Sequence, residues 1–253
     1  MSVILGVVWN ISAQTQPPFE QVLVPFDTAV FGGAGARWSA ELRVRNSADV
    51  QINLFPDTCS FIGREFPCDL KIPIQPGVTQ VLDVLTFVSP AQPGVLLYVP
   101  IEHTSDVHFT LSVRDLNSKD SVGTTIPVVR RSQFTTRATL VGIPIAPAQR
   151  RTLRVYDPSL PPNPVFRVRV IDEATNRTLV DREYSRLLPP NEGGPILVPE
   201  TFDFSDSLAA PELTSAERVT VTIERIFPRG LTFWPTLSVT SDRDNHFAIF
   251  TPN

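Results

Sequence analysis

A chain of 253 residues that is 42% apolar and 19% charged can form two domains of ordinary size, and it is too apolar to be disordered over most of its length. Its 25 prolines, about twice the usual share, argue against long helices, because a proline inside a helix costs roughly 3 kcal/mol. The 22 basic and 26 acidic residues, net −4, speak against the strongly basic surface of a nucleic-acid-binding protein, and the arginines are scattered.

The N-terminus runs from apolar Val3–Trp9 through Asn10-Ile-Ser-Ala13 to polar Gln14–Pro18. A bilayer needs ~20 apolar residues, so this run does not span one. It fits the hydrophobic region of a secretory signal with cleavage after Ala13, although no cation precedes it and Ile11 is large for its position. Residues 1–16 are therefore expected to be a signal peptide or a disordered N-terminus. The mature protein is then secreted, periplasmic or at the cell surface. The plainer reading is a first strand. No other stretch approaches transmembrane length.

Residues 17–129 are predicted to form a first β-sandwich. Gln21–Pro25 reads as a short strand, and Gly32-Gly-Ala-Gly35, without a P-loop lysine, as a turn. Trp38–Asn46 alternates, with Trp38, Ala40, Leu42 and Val44 on the apolar side; Val50–Phe55 follows through a polar turn. Cys59 and Cys68 enclose eight residues in a proline-flanked stretch. In an oxidising compartment they are a disulfide candidate worth ~2–3 kcal/mol. Leu70–Ile74, Val78–Val84, Val95–Val99 and Phe109–Val113 read as further strands.

Glu102, His103, Asp106 and His108 lie between the last two. A hairpin tip at Thr104–Val107 would set His103 opposite His108, and imidazoles with carboxylates could hold zinc or another divalent ion. A solvated turn explains the same residues.

Residues 130–253 are predicted to repeat the sandwich. Val141–Pro144 matches Val22–Pro25, Leu153-Arg-Val155 matches Leu42-Arg-Val44, and Thr236-Leu-Ser-Val239 matches Thr110-Leu-Ser-Val113, at offsets from 111 to 126. The inward register of Leu237 and Val239 turns Trp234 outward, to stack on a sugar, anchor a partner, or be covered by a loop or the other half. Asp242, Asp244 and Asn245 make an oxygen-rich turn lacking the glycine and distal glutamate of a known calcium loop. Glu192–Pro211 shows no pattern.

Trp38-Ser-Ala-Glu-Leu-Arg-Val44, Gly123-Thr-Thr-Ile-Pro-Val-Val129 and Thr236-Leu-Ser-Val-Thr240 together resemble secreted tandem β-sandwich (Ig-like) proteins of environmental bacteria. The resemblance covers most of the mature chain through strand patterns of low specificity. It implies fold and export, and no mechanism.

The chain contains no Gly-x-Ser-x-Gly elbow, no His-Glu-x-x-His and no marked carboxylate couple. The sequence thus predicts an all-β protein of two tandem antiparallel sandwiches. Its expected function is non-catalytic binding or structural spacing, with no cofactor, no nucleic acid, and a protein or glycan partner. The alternatives are a carbohydrate-binding module using Trp234, and a metal-dependent hydrolase at His103 and His108.

Overall fold

Apolar side chains at every second position need a second sheet to face, and both halves of the chain supply one. The structure, a computed structural model, describes residues 19–25, 38–57, 71–82, 94–117, 123–159, 163–185, 199–241 and 247–252. The expected leader, Cys59, Cys68 and the Asp242–Asn245 turn lie outside the described residues.

The first half contains β1 (Phe19–Pro25), β2 (Trp38–Asn46), β3 (Ile52–Pro56), β4 (Ile72–Ile74), β5 (Thr79–Leu82), β6 (Gly94–Pro100), β7 (Val107–Asp115), β8 (Thr124–Ile126) and β9 (Val129–Arg130). The second contains β10 (Arg137–Pro144), β11 (Gln149–Asp157), β12 (Val165–Asp172), β13 (Thr178–Ser185), β14 (Glu200–Asp203), β15 (Arg218–Phe227), β16 (Trp234–Ser241) and β17 (Phe247–Phe250). All pairings are antiparallel, in four sheets ordered β4-β3-β6-β1-β9, β5-β2-β7-β8, β10-β15-β12-β13 and β14-β11-β16-β17. Counting β10 as a second β1, the last two sheets repeat the order of the first two, apart from β9.

Register follows the same rule. Leu42 pairs with Leu111, and Leu111 with Ile126; at the matched positions Leu153 pairs with Leu237, and Leu237 with Phe250. All four leucines are buried in two separate cores. Each contributes about 1.5–3 kcal/mol by leaving water. The first core is filled by Val, Leu and Ile from both of its sheets. The second adds aromatics: Phe166 sits 5.1 Å from Phe202 and 5.3 Å from Phe233, the latter edge-on.

Both β2 and β11 end in a buried polar residue at the inward register. The Asn46 Oδ1 accepts from the Ala48 N–H at 2.9 Å, and the Asp157 Oδ1 from the Ser159 N–H at 3.0 Å. These side chains turn the chain out of the sheet.

Three expectations change. β6 and β7 belong to different sheets, as do β15 and β16, so the connections after Pro100 and Phe227 are arches between sheets, not hairpins. The unpatterned stretch contains β14 and a 3-10 turn at Ser205–Leu208. The expected boundary between residues 129 and 130 falls inside β9, which pairs with β1.

The halves meet on a shared face. Leu23 of β1, with its cross-strand neighbours Leu96 and Val129, packs against Phe134, Tyr156 and Trp234. All six side chains are buried. The approach is close enough that a Cβ on Gly94 would lie 2.9 Å from the Tyr156 ring. In the second half the position matched to Leu23 is Gly142, at φ +72°, within the irregularity between Leu140 and Ile143. Its N–H donates to Glu173 Oε1 at 2.6 Å, and Thr220 Oγ1 donates to the same oxygen at 2.8 Å.

Candidate functional site

Trp234 opens β16 directly opposite Tyr156 of β11, and it points away from the second core as its register requires. It is nevertheless only 5% exposed, because the first half covers it. The reading of Trp234 as an exposed sugar platform is therefore corrected: the ring is part of the joint. Its matched position in the first half is His108, paired with Arg45, and both are exposed. One place on the sheet is dressed with aromatics where it meets a neighbour and with charge where it meets water.

Polar groups surround the joint. The Tyr98 hydroxyl donates to Asp57 Oδ1 at 2.6 Å and accepts from Gln21 Nε2 at 3.1 Å. Burial, then the Asp57 carboxylate, push the Tyr98 phenol above its ordinary pKa. The Arg131 guanidinium stacks 5.3 Å from the Phe134 ring centre. Burial lowers its pKa, and the attraction of Asp157 and Tyr98 works the other way.

Deeper in the second half Arg225 Nη2 meets Asp157 Oδ2 at 2.5 Å, and neither side chain is exposed. The guanidinium lies 4.8 Å from the Phe166 ring centre and 5.9 Å from that of Phe233. Its Nε and Nη1 have no acceptor among the described residues. This pair was absent from the sequence-based candidates. Its signal is a charge continuing an apolar alternation: Val219, Val221, Ile223, Arg225 on one strand and Leu153, Val155, Asp157 on the other.

Where the linker between the halves passes Trp234, a groove of about 450 Å³ opens. Gln133 and Thr135 of the linker, Arg137, Thr139 and Val141 of β10, and Trp234 line it. Gln133 Oε1 accepts from the Arg130 N–H at 2.8 Å, so its carboxamide offers the groove N–H groups. Thr135 Oγ1 donates to the Arg137 carbonyl at 2.5 Å. Among the described residues the Arg137 guanidinium has no ion-pair partner, and the buried indole Nε1–H of Trp234 has no acceptor. A smaller groove of about 290 Å³ lies on the outer face of β2 and β7, between Arg43, Arg114, Thr110 and Ser112. There Arg43 Nε is already held by Glu41 Oε1 at 2.6 Å.

The histidine cluster is not the one the sequence suggested. Since β6 and β7 are in different sheets, His103 and His108 do not face each other across a ladder. His103 lies in a 3-10 turn, its Nδ1 3.2 Å from Asp106 Oδ2; His108 is on β7, its Nε2 3.4 Å from Ser47 Oγ; Glu102 is exposed. Among the described residues no three His, Cys, Asp or Glu side chains gather closely enough to hold a metal ion. No helix among them is long and apolar enough to cross a membrane.

Compared with family models, with curated proteins and with solved structures, the chain matches none.

Proposed function

We propose that this chain is an exported, non-catalytic binding or structural protein made of two tandem β-sandwiches. The observation that carries the reading is the repeated strand order joined through a buried aromatic face. Such a build carries two polar surfaces on one chain, which suits presentation or spacing outside the cell. Within the sandwich class the Ig-like label is narrowed. Lettering the first eight strands A to H, the sheets run D-C-F-A and E-B-G-H. They share the C–F pair with the immunoglobulin order, but place the first strand where that fold has its last.

Cells producing the full chain are to be fractionated, and the purified protein sedimented with envelope fragments. Recovery from the envelope or medium, with saturable co-sedimentation, is the expected result. Retention of the intact chain in the cytoplasm, or no co-sedimentation at concentrations that saturate a micromolar complex, would refute the reading. The hydrolase alternative loses its geometric basis with the hairpin, and the carbohydrate alternative no longer rests on Trp234 stacking in the open against a sugar.

A further inference from the structure

We propose that the groove beside Trp234 binds a hydroxylated carboxylate of sugar size, namely a uronic acid or the uronate residue of a glycan. This rests on the binding reading above and names its ligand.

Three features point to this chemistry. First, the groove lies where the linker runs beside β10 and β16 of the second half, and its volume of about 450 Å³ is within the range that holds a small molecule. Second, its polar lining is rich in donors: the Arg137 guanidinium, the Gln133 carboxamide N–H groups and the Thr139 hydroxyl, with no Asp or Glu among its described lining residues. Glu224 is the cross-strand partner of Arg137 but makes no ion pair with it. A donor-rich lining with a cation unpaired among the described residues selects an acceptor-rich anion. Third, Val141, Pro252 and the indole give the groove apolar walls. A sugar ring matches such walls with its C–H faces while its hydroxyls meet Thr139 and Gln133; a bare inorganic anion leaves the walls unused.

The groove is also not part of the repeated architecture. In the first half the positions matched to Arg137 and Thr139 are Pro18 and Glu20, and the Glu20 carboxylate is tied to Arg130.

The test is calorimetric titration of the full chain with glucuronate, glucose and inorganic phosphate, on the wild type, Arg137→Gln and Trp234→Phe. Arg137→Gln changes an exposed side chain and leaves the joint intact. Trp234→Phe keeps a ring in the joint while removing the N–H, and its melting temperature reports whether the joint survives. One-site glucuronate binding is expected, with glucose and Arg137→Gln each weaker by about tenfold, the loss typical of a charge-assisted hydrogen bond. A folded Trp234→Phe, which keeps Arg137, Gln133 and Thr139 in place, should bind glucuronate as the wild type does. No saturable glucuronate binding, unchanged affinity in Arg137→Gln, or phosphate binding as tightly as glucuronate would each overturn the proposal. If glucuronate fails while envelope co-sedimentation persists, only this inference falls; if co-sedimentation also fails, the binding reading falls with it.

Discussion

Asp157→Asn is the sharpest test of how the second half is held together. Asparagine keeps the Oδ1 acceptor that turns the chain at Ser159, as Asn46 does at the matched position in the first half. The substitution therefore removes the charge and spares the turn. What remains is a guanidinium with no exposed surface, resting on Phe166 and Phe233, with its Nη2 no longer facing an anion. Breaking one side of a buried pair costs about 3–5 kcal/mol, because the surviving charge stays desolvated. The lower end applies here, since an amide oxygen still accepts a hydrogen bond. A loss of about 3 kcal/mol corresponds to a fall in melting temperature of about 10 °C for a unit of this size. Urea unfolding followed by circular dichroism, with scanning calorimetry, measures both. The transition of the second half should move while that of the first stays in place. Added salt should change the loss little, because a buried pair is poorly screened. A cost below about 1 kcal/mol would mean that the pair behaves like an exposed one, and the reasoning would be wrong. It would also be wrong if removing the cation as well, Asp157→Asn with Arg225→Met, proved more damaging than Asp157→Asn alone.

The joint and the turns supply two more expectations. Gly94→Ala drives a methyl to 2.9 Å from the Tyr156 ring and 3.3 Å from the Val24 carbonyl, and the overpacking should cost about 1–3 kcal/mol. Unfolding curves that superimpose on the wild type would show that the two faces are not in close contact. Asp172 accepts from the Thr175 hydroxyl at 2.6 Å and from the Ala174 N–H at 3.0 Å, and these bonds hold its carboxyl below the ordinary carboxylate range. A depressed folded pKa stabilises above the unfolded value of about 3.9, and that contribution is lost as pH falls through the folded value. Below about pH 4, then, the wild-type melting temperature should fall more steeply than that of Asp172→Asn. Parallel curves would remove the assignment.

Which parts of this fold were readable in advance depends on how local their cause is. Leu42, Leu111, Leu153 and Leu237 follow from alternation alone, since side chains on a strand change face at every step. The sheet that the next strand enters is not a local property. Thr104-Ser-Asp106 has turn chemistry whether the chain doubles back or crosses over, so the distance between His103 and His108 was not legible. Trp234 shows the same limit: its side of the sheet follows from register, whereas what covers that side depends on residues a hundred or more positions away, such as Leu23 and Leu96. β13 is hard to see because it is an edge strand with most of its side chains exposed, including Asp181, Arg182 and Glu183. The groove combines a linker, a strand and Pro252, and no stretch of sequence announces such a set. Arg225 and Asp157 did carry a local sign, a charge at the end of an apolar alternation.

Gly142 and Glu173 have a consequence for how the chain could grow. The first half offers a seat of Leu23, Leu96 and Val129 to its neighbour. At the matching place on the second half, glycine presents no side chain, and a carboxylate has taken the N–H and the Thr220 hydroxyl. A third copy docked in the same way would meet a glycine and a hydrogen-bonded carboxylate where the first half offers two leucines and a valine.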